Sequence, residues 1–190
     1  MSLIVPDQYK SFTILGIDPG LNNTGVAVFQ IDAYSRMIQS IVAFTINTNR
    51  LVDTTGIDDE LHTDRIIKLY KLKQSIQTTI AQVNPVVIAC ESAFYNPKFP
   101  MAYPALVEAI DFIQSAAIEV NGNIVFRTIE PKVIKKIVGA GMDKGKLDVK
   151  AAVANTPSLM QALQMNLELL DQHSIDAIAI GYTFLKLSEG

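Results

Sequence analysis

ILGIDPGLNNTGVAV, residues 14–28, decides the fold. Ile14, Leu15, Gly16 and Ile17 read as the end of a buried strand over residues 12–18, and Asp18 closes it. Pro19 and Gly20 follow at once, and the Gly20-Leu21-Asn22-Asn23 stretch has the composition of a turn. Apolar residues resume at 24–30 as a second strand, so the two should pair as a hairpin. A carboxylate at the end of an apolar run is costly unless it is paired, protonated or bound to a cation. Asp18 is therefore either a turn former or a ligand, and the other acids of the chain decide which.

Reading outward, residues 38–48 alternate roughly in polarity and suit a third strand. Residues 54–64 are polar and acidic, a composition that favours a helix N-terminus next in the chain. Ile66, Leu69, Leu72, Ile76, Ile80 and Val83 step by three and four, which predicts an amphipathic helix over 65–83 stopped by Asn84-Pro85. The short continuous apolar run at 86–90 suits a parallel strand covered on both faces. A helix over 103–119, a strand over 124–129, a helix over 131–138 opened by proline, and helices over 146–154 and 170–187 complete the chain. Three strands followed by helix, strand, helix, strand and helices describe one mixed α/β sheet flanked by helices, in a single domain over residues 1–190.

Composition removes several classes. Of 190 residues, 49% are apolar and 18% charged, which excludes disordered and coiled-coil chains. The lone Cys90 excludes a disulfide framework and a cysteine zinc cluster, and two histidines cannot build a His-rich metal site. The chain has no run of 18 apolar residues, and the apolar part of MSLIVPDQYK is too short for a signal peptide, so a cytoplasmic protein without membrane contact is expected. The net charge of -3 is unevenly spread. Residues 127–150 hold seven basic side chains (Arg127, Lys132, Lys135, Lys136, Lys144, Lys146, Lys150) against three acidic ones. Such a stripe is either a solvated helix face or the footprint of a polyanion.

Three acids stand where structure alone does not need one. Asp18 closes the first strand, Glu91 closes the 86–90 run in VVIACESAFYN, and Asp176 lies in the last helix in LLDQHSIDAIAIGY. His173 precedes Asp176 by three residues and so shares its face, which Ala177 and Ile180 continue. Asp171 reads as the helix N-cap, with a reserve ligand role as the alternative, and Cys90 reads as a small core residue. If the first strand neighbours the 86–90 strand, Asp18 and Glu91 meet at the sheet, and the last helix can lay Asp176 and His173 over them. Clustered carboxylates repel unless a cation sits between them. Oxygen-rich sites of this type suit Mg²⁺ or Mn²⁺. Two such ions about 3.5–4 Å apart activate a water and stabilise the leaving oxygen in phosphodiester cleavage.

Over nearly its whole length the sequence resembles the RuvC family of Holliday junction resolvases, within the RNase H-like superfamily. GIDPGLNNTGVAV is similar to the family's first-strand motif, ACESAFYN to its second acidic motif, and HSIDAIAIG to its C-terminal helix. The resemblance implies that Asp18, Glu91, His173 and Asp176 are the catalytic metal ligands, holding two Mg²⁺ for which Mn²⁺ substitutes. It gives Phe94 the aromatic position that contacts unstacked bases. PKVIKKIVGAGMDKGKLDVKAAV is similar to the family's lysine segment, so Lys135 becomes a phosphate contact, with Lys144 or Lys146 as a second. The implied activity is symmetric cleavage of four-way DNA junctions by a homodimer, in a bacterial or phage-infected cytoplasm. The chain departs from the pattern in a longer stretch at 51–62 and in prolines at 97, 100 and 104.

Two other readings of the same residues propose a different activity. One keeps the fold and cuts other branched DNA or RNA–DNA hybrids. The other notes that GIDPGLNNTG is also similar to the phosphate-binding strand of actin-like ATPases and sugar kinases, but 190 residues leave no room for their second domain, and Glu91, His173 and Asp176 have no place there. A non-catalytic DNA-binding remnant is disfavoured because each expected ligand position is filled.

Overall fold

The computed structural model describes residues 10–52, 54, 56–58, 60–98, 100–141 and 148–189. Five strands, β1 (Ser11–Asp18), β2 (Asn23–Asp32), β3 (Ile38–Asn47), β4 (Val87–Glu91) and β5 (Val125–Ile129), form one sheet in the order β3-β2-β1-β4-β5. β1 pairs antiparallel with β2, and β2 with β3; β4 runs parallel to β1, and β5 to β4. The expected hairpin and mixed sheet are both present.

Alternation along the strands splits the core in two. Leu15, Ile17, Val26, Ile88 and Cys90 face α1 (Asp64–Val83) and α2 (Ala102–Val120), meeting Leu69, Leu72, Ile76, Ile80, Ala109 and Ile113. Phe12, Ile14, Ala27, Phe29, Val87 and Ala89 face the opposite layer, made by α3 (Pro131–Val138), α4 (Val149–Ala154), α5 (Pro157–Ala162) and α6 (Gln172–Ser188). The helical stripe read at 65–83 is thus the buried seam of α1, and it ends at Asn84 in the left-handed conformation.

α6 lies directly on the sheet. A β-carbon on Gly16 would run into the Ala177 carbonyl and the Gly181 backbone, and one on Gly25 would run into the His173 carbonyl. Glycine at these two positions lets helix backbone touch strand backbone. That close approach sets the depth at which the first turn of α6 meets the ends of β1 and β2.

The sequence reading differs from the structure mostly at boundaries. α5 and a 3-10 turn at Leu167–Leu169 were not expected. Both are too short to show a helical period. The helix expected over 146–154 is seen as Val149–Ala154 within the described residues.

Candidate metal centre and nucleic-acid interface

β1 and β4 deliver two carboxylates to one point. Ile17 pairs with Cys90 across the parallel ladder, so the next residues, Asp18 and Glu91, end adjacent strands side by side. Strand parity puts both on the α6 face, since Ile17 and Cys90 belong to the opposite core. Asp18 is buried at 9% exposure. Cys90, fully buried beneath them, is a core residue as expected; burial and the neighbouring Asp18 and Glu91 push its thiol pKa well up, which keeps it inert.

α6 supplies the other half. His173 Nδ1 lies 2.8 Å from Asp18 Oδ2. An ionised Asp18 can only accept, so in that state the proton sits on Nδ1 and Nε2 keeps its lone pair for a ligand. Gln172 donates to both oxygens of Asp176, at 2.9 and 3.0 Å. Asp171 is the N-cap of α6 and accepts from the Ser174 backbone N–H, in agreement with the sequence reading.

The cluster is electrostatically unfavourable as it stands. Burial raises the Asp18 pKa to about 6, with Asp176 adding to the rise against the His173 hydrogen bond. Burial raises Glu91 to about 7, with Asp18 and Asp176 contributing and Lys135 opposing. Burial also raises Asp176, opposed by the Gln172 hydrogen bond and by the charges of His173 and Lys135. The three carboxylates therefore act on one another electrostatically. Among the described residues, no three His, Cys, Asp or Glu groups are drawn in closely enough to hold one ion as they stand. The donor set, three acids and an imidazole on one sheet face, nevertheless fits hard divalent ions.

Beside the carboxylates lies a cleft of about 520 Å³ lined by Ser92, Ala93, Phe94, Glu130, Pro131, Lys132 and Lys135. Phe94 is half exposed on its wall. Lys135 joins the cleft to the acids, since its charge acts on both Glu91 and Asp176. The rest of the basic stripe is less free than its composition suggests: Lys132 pairs with Glu130 at 2.7 Å and Lys150 with Glu168 at 2.7 Å. Exposed pairs of this sort are weak enough for a phosphate to displace. Lys144 and Lys146 lie outside the described residues.

Residues 14–184 match the family Crossover junction endodeoxyribonuclease RuvC. The chain belongs to the RuvC family. Membership makes it a crossover junction endodeoxyribonuclease, of a family whose phosphodiester hydrolysis depends on divalent metal. Among solved structures, Thermus thermophilus RuvC in complex with Holliday junction substrate is similar over 94% of this chain and 96% of that one, at 16% identity and TM-score 0.65. The yeast mitochondrial Holliday junction resolvase covers 97% and 83%, at 14% identity and TM-score 0.62. The fowlpox virus resolvase, solved with Holliday junction DNA, covers 92% and 99%, at 14% identity and TM-score 0.56. These likenesses establish the RuvC, RNase H-like fold. No curated protein matches the chain. Among the described residues, no helix is long and apolar enough to cross a membrane.

Within this RuvC-family site, Gln172 was not foreseen. Its spacing of four from Asp176 was a legible signal, since such residues stack on one helix face.

Proposed function

We propose that this chain resolves four-way DNA junctions, with Asp18, Glu91, Asp176 and His173 as the metal-binding set and the cleft at Phe94 and Lys135 as the junction contact. The observation that carries the reading is the convergence of two strand-end carboxylates and the first turn of α6 on one sheet face. Asp18, Glu91, Asp176 and His173 would hold two divalent ions, Mg²⁺ with Mn²⁺ as a substitute. When bound, such ions supply Lewis-acid activation of the attacking water and charge neutralisation at the departing 3′ oxygen.

The protein groups do the rest. Asp18 and Glu91 present rigid oxygens because each ends a strand inside the ladder. His173 orients Asp18 through its 2.8 Å contact. Lys135 offsets negative charge where the scissile phosphate must approach three acids. Phe94 offers a ring on which an unstacked base can rest. A junction has two equivalent strands to cut, and each chain carries one such acidic cluster, so the active species is a homodimer of single-domain chains over residues 1–190.

Cleavage of end-labelled four-way junction, flap and RNA–DNA hybrid, side by side in Mg²⁺ or Mn²⁺, tests this. Paired symmetric nicks in the junction are expected. Faster cutting of the hybrid or flap overturns the junction reading.

A further inference from the structure

An N-cap needs one bond, from its side chain to a backbone N–H of the first turn. Asp171 has more. Its Oδ1 accepts from the Ser174 N–H at 2.9 Å, from Ser174 Oγ at 2.8 Å and from Thr45 Oγ1 at 2.6 Å. Thr45 and Ser174 hydroxyls are also 2.9 Å apart. Ser174 is buried, while Thr45 stands on the edge strand, 126 residues earlier in sequence.

The register explains why this matters. Asp18 pairs with Gly25, and Gly25 pairs with Thr45, so the three form one row across β1, β2 and β3. The first turn of α6 meets every member of that row. Asp18 takes His173 Nδ1, Gly25 lies under the His173 carbonyl, and Thr45 takes Asp171 and Ser174. His173 is thus held at its ring, its backbone and, through its neighbours, at the far end of the row.

We propose that Thr45, Asp171 and Ser174 form a positioning clamp that seats α6 on the Asp18–Gly25–Thr45 row and so fixes the His173 imidazole against Asp18. Asp171 is then a positioning residue and not a reserve metal ligand. The clamp rests on the reading of Asp18 and His173 as site residues. Loss of the Thr45 hydroxyl leaves the cap bond but frees the turn to shift along the sheet, and the imidazole with it.

The test uses the full chain, which has only two histidines, His173 and the exposed His62. Imidazole ¹H–¹⁵N spectra of the metal-free protein report whether each ring is fixed in one tautomer. Wild-type His173 is expected to show a fixed tautomer, and His62 an averaged one. In Thr45→Val, His173 moves toward the averaged pattern while His62 does not; Thr45→Ser keeps the wild-type pattern. Single-turnover junction cleavage by Thr45→Val falls by about 10- to 100-fold, the scale of a misplaced group. Junction affinity stays within about twofold, since phosphate contacts set it. Ser174→Ala gives the same direction if Thr45→Val does not fold. A His173 spectrum unchanged in both variants overturns the clamp. Wild-type protein that cuts no junction overturns the nuclease reading instead, and the spectra still decide the clamp.

Discussion

Asp18 and Glu91 carry the sharpest predictions. Asp18→Asn keeps the size of the side chain and its bond to His173 but removes the charge that a cation needs. Cleavage should fall below detection in a gel assay while junction binding by mobility shift is largely retained; a variant that still cuts at the parental rate removes Asp18 from the metal set. The raised acids also predict a pH dependence. Asp18 titrates at about 6 and Glu91 at about 7 when folded, against 3.8 and 4.5 when unfolded. Between those values the folded chain binds more protons than the unfolded one, so unfolding free energy falls as pH rises. In chelator, urea denaturation should therefore show lower stability at about pH 8 than at about pH 5, by on the order of 1–3 kcal/mol once coupling is discounted. Mg²⁺ should restore more at the higher pH, because protons compete for the same oxygens. The Asp18→Asn, Glu91→Gln double variant should flatten the slope, and an unchanged slope would move its origin elsewhere.

At the scale of elements, the seat of α6 decides whether the site exists. Gly16→Val pushes a branched side chain into the Ala177 carbonyl and the Gly181 backbone. Overpacking of this kind costs about 1–3 kcal/mol or more, so the melting temperature should drop and metal-induced stabilisation should weaken with it. Full retention of both would mean that the helix can ride higher without consequence. This level also shows how far the sequence could be read. The β1–β2 hairpin, the α1 seam and the Pro131 start of α3 were legible because local pattern and tertiary burial agree there. The convergence of Asp18, Glu91 and Asp176 was legible because strand ends and a three-residue helix step leave few arrangements. Thr45 was not, because its partner Asp171 is brought to it by sheet order alone. The pairing of Lys150 was hidden for a different reason: charge counting along 127–150 ignores a partner such as Glu168, which lies beyond α5.

For the molecule as a whole, the proposed junction contact lies in the cleft beside the acids, with Lys135 acting on Glu91 and Asp176. Phe94→Ala should slow junction cleavage by a factor matching the roughly 1–3 kcal/mol of a base–aromatic stack, with binding of nicked duplex, which offers only phosphate contacts, unaffected; equal rates on junction would clear Phe94 of a stacking role. Sedimentation should find a dimer at working concentration, and a strictly monomeric enzyme that still nicks both strands together would refute the symmetric scheme. One further consequence follows from where the four groups sit along the chain. β1 offers its carboxylate early, β4 midway, and α6 only near the end. A nascent chain still short of α6 has all five strands of the sheet but only Asp18 and Glu91 of the proposed ligand set. On the proposed ligand set, such a polypeptide would not cut DNA, and activity would arrive in one step, when the last helix docks.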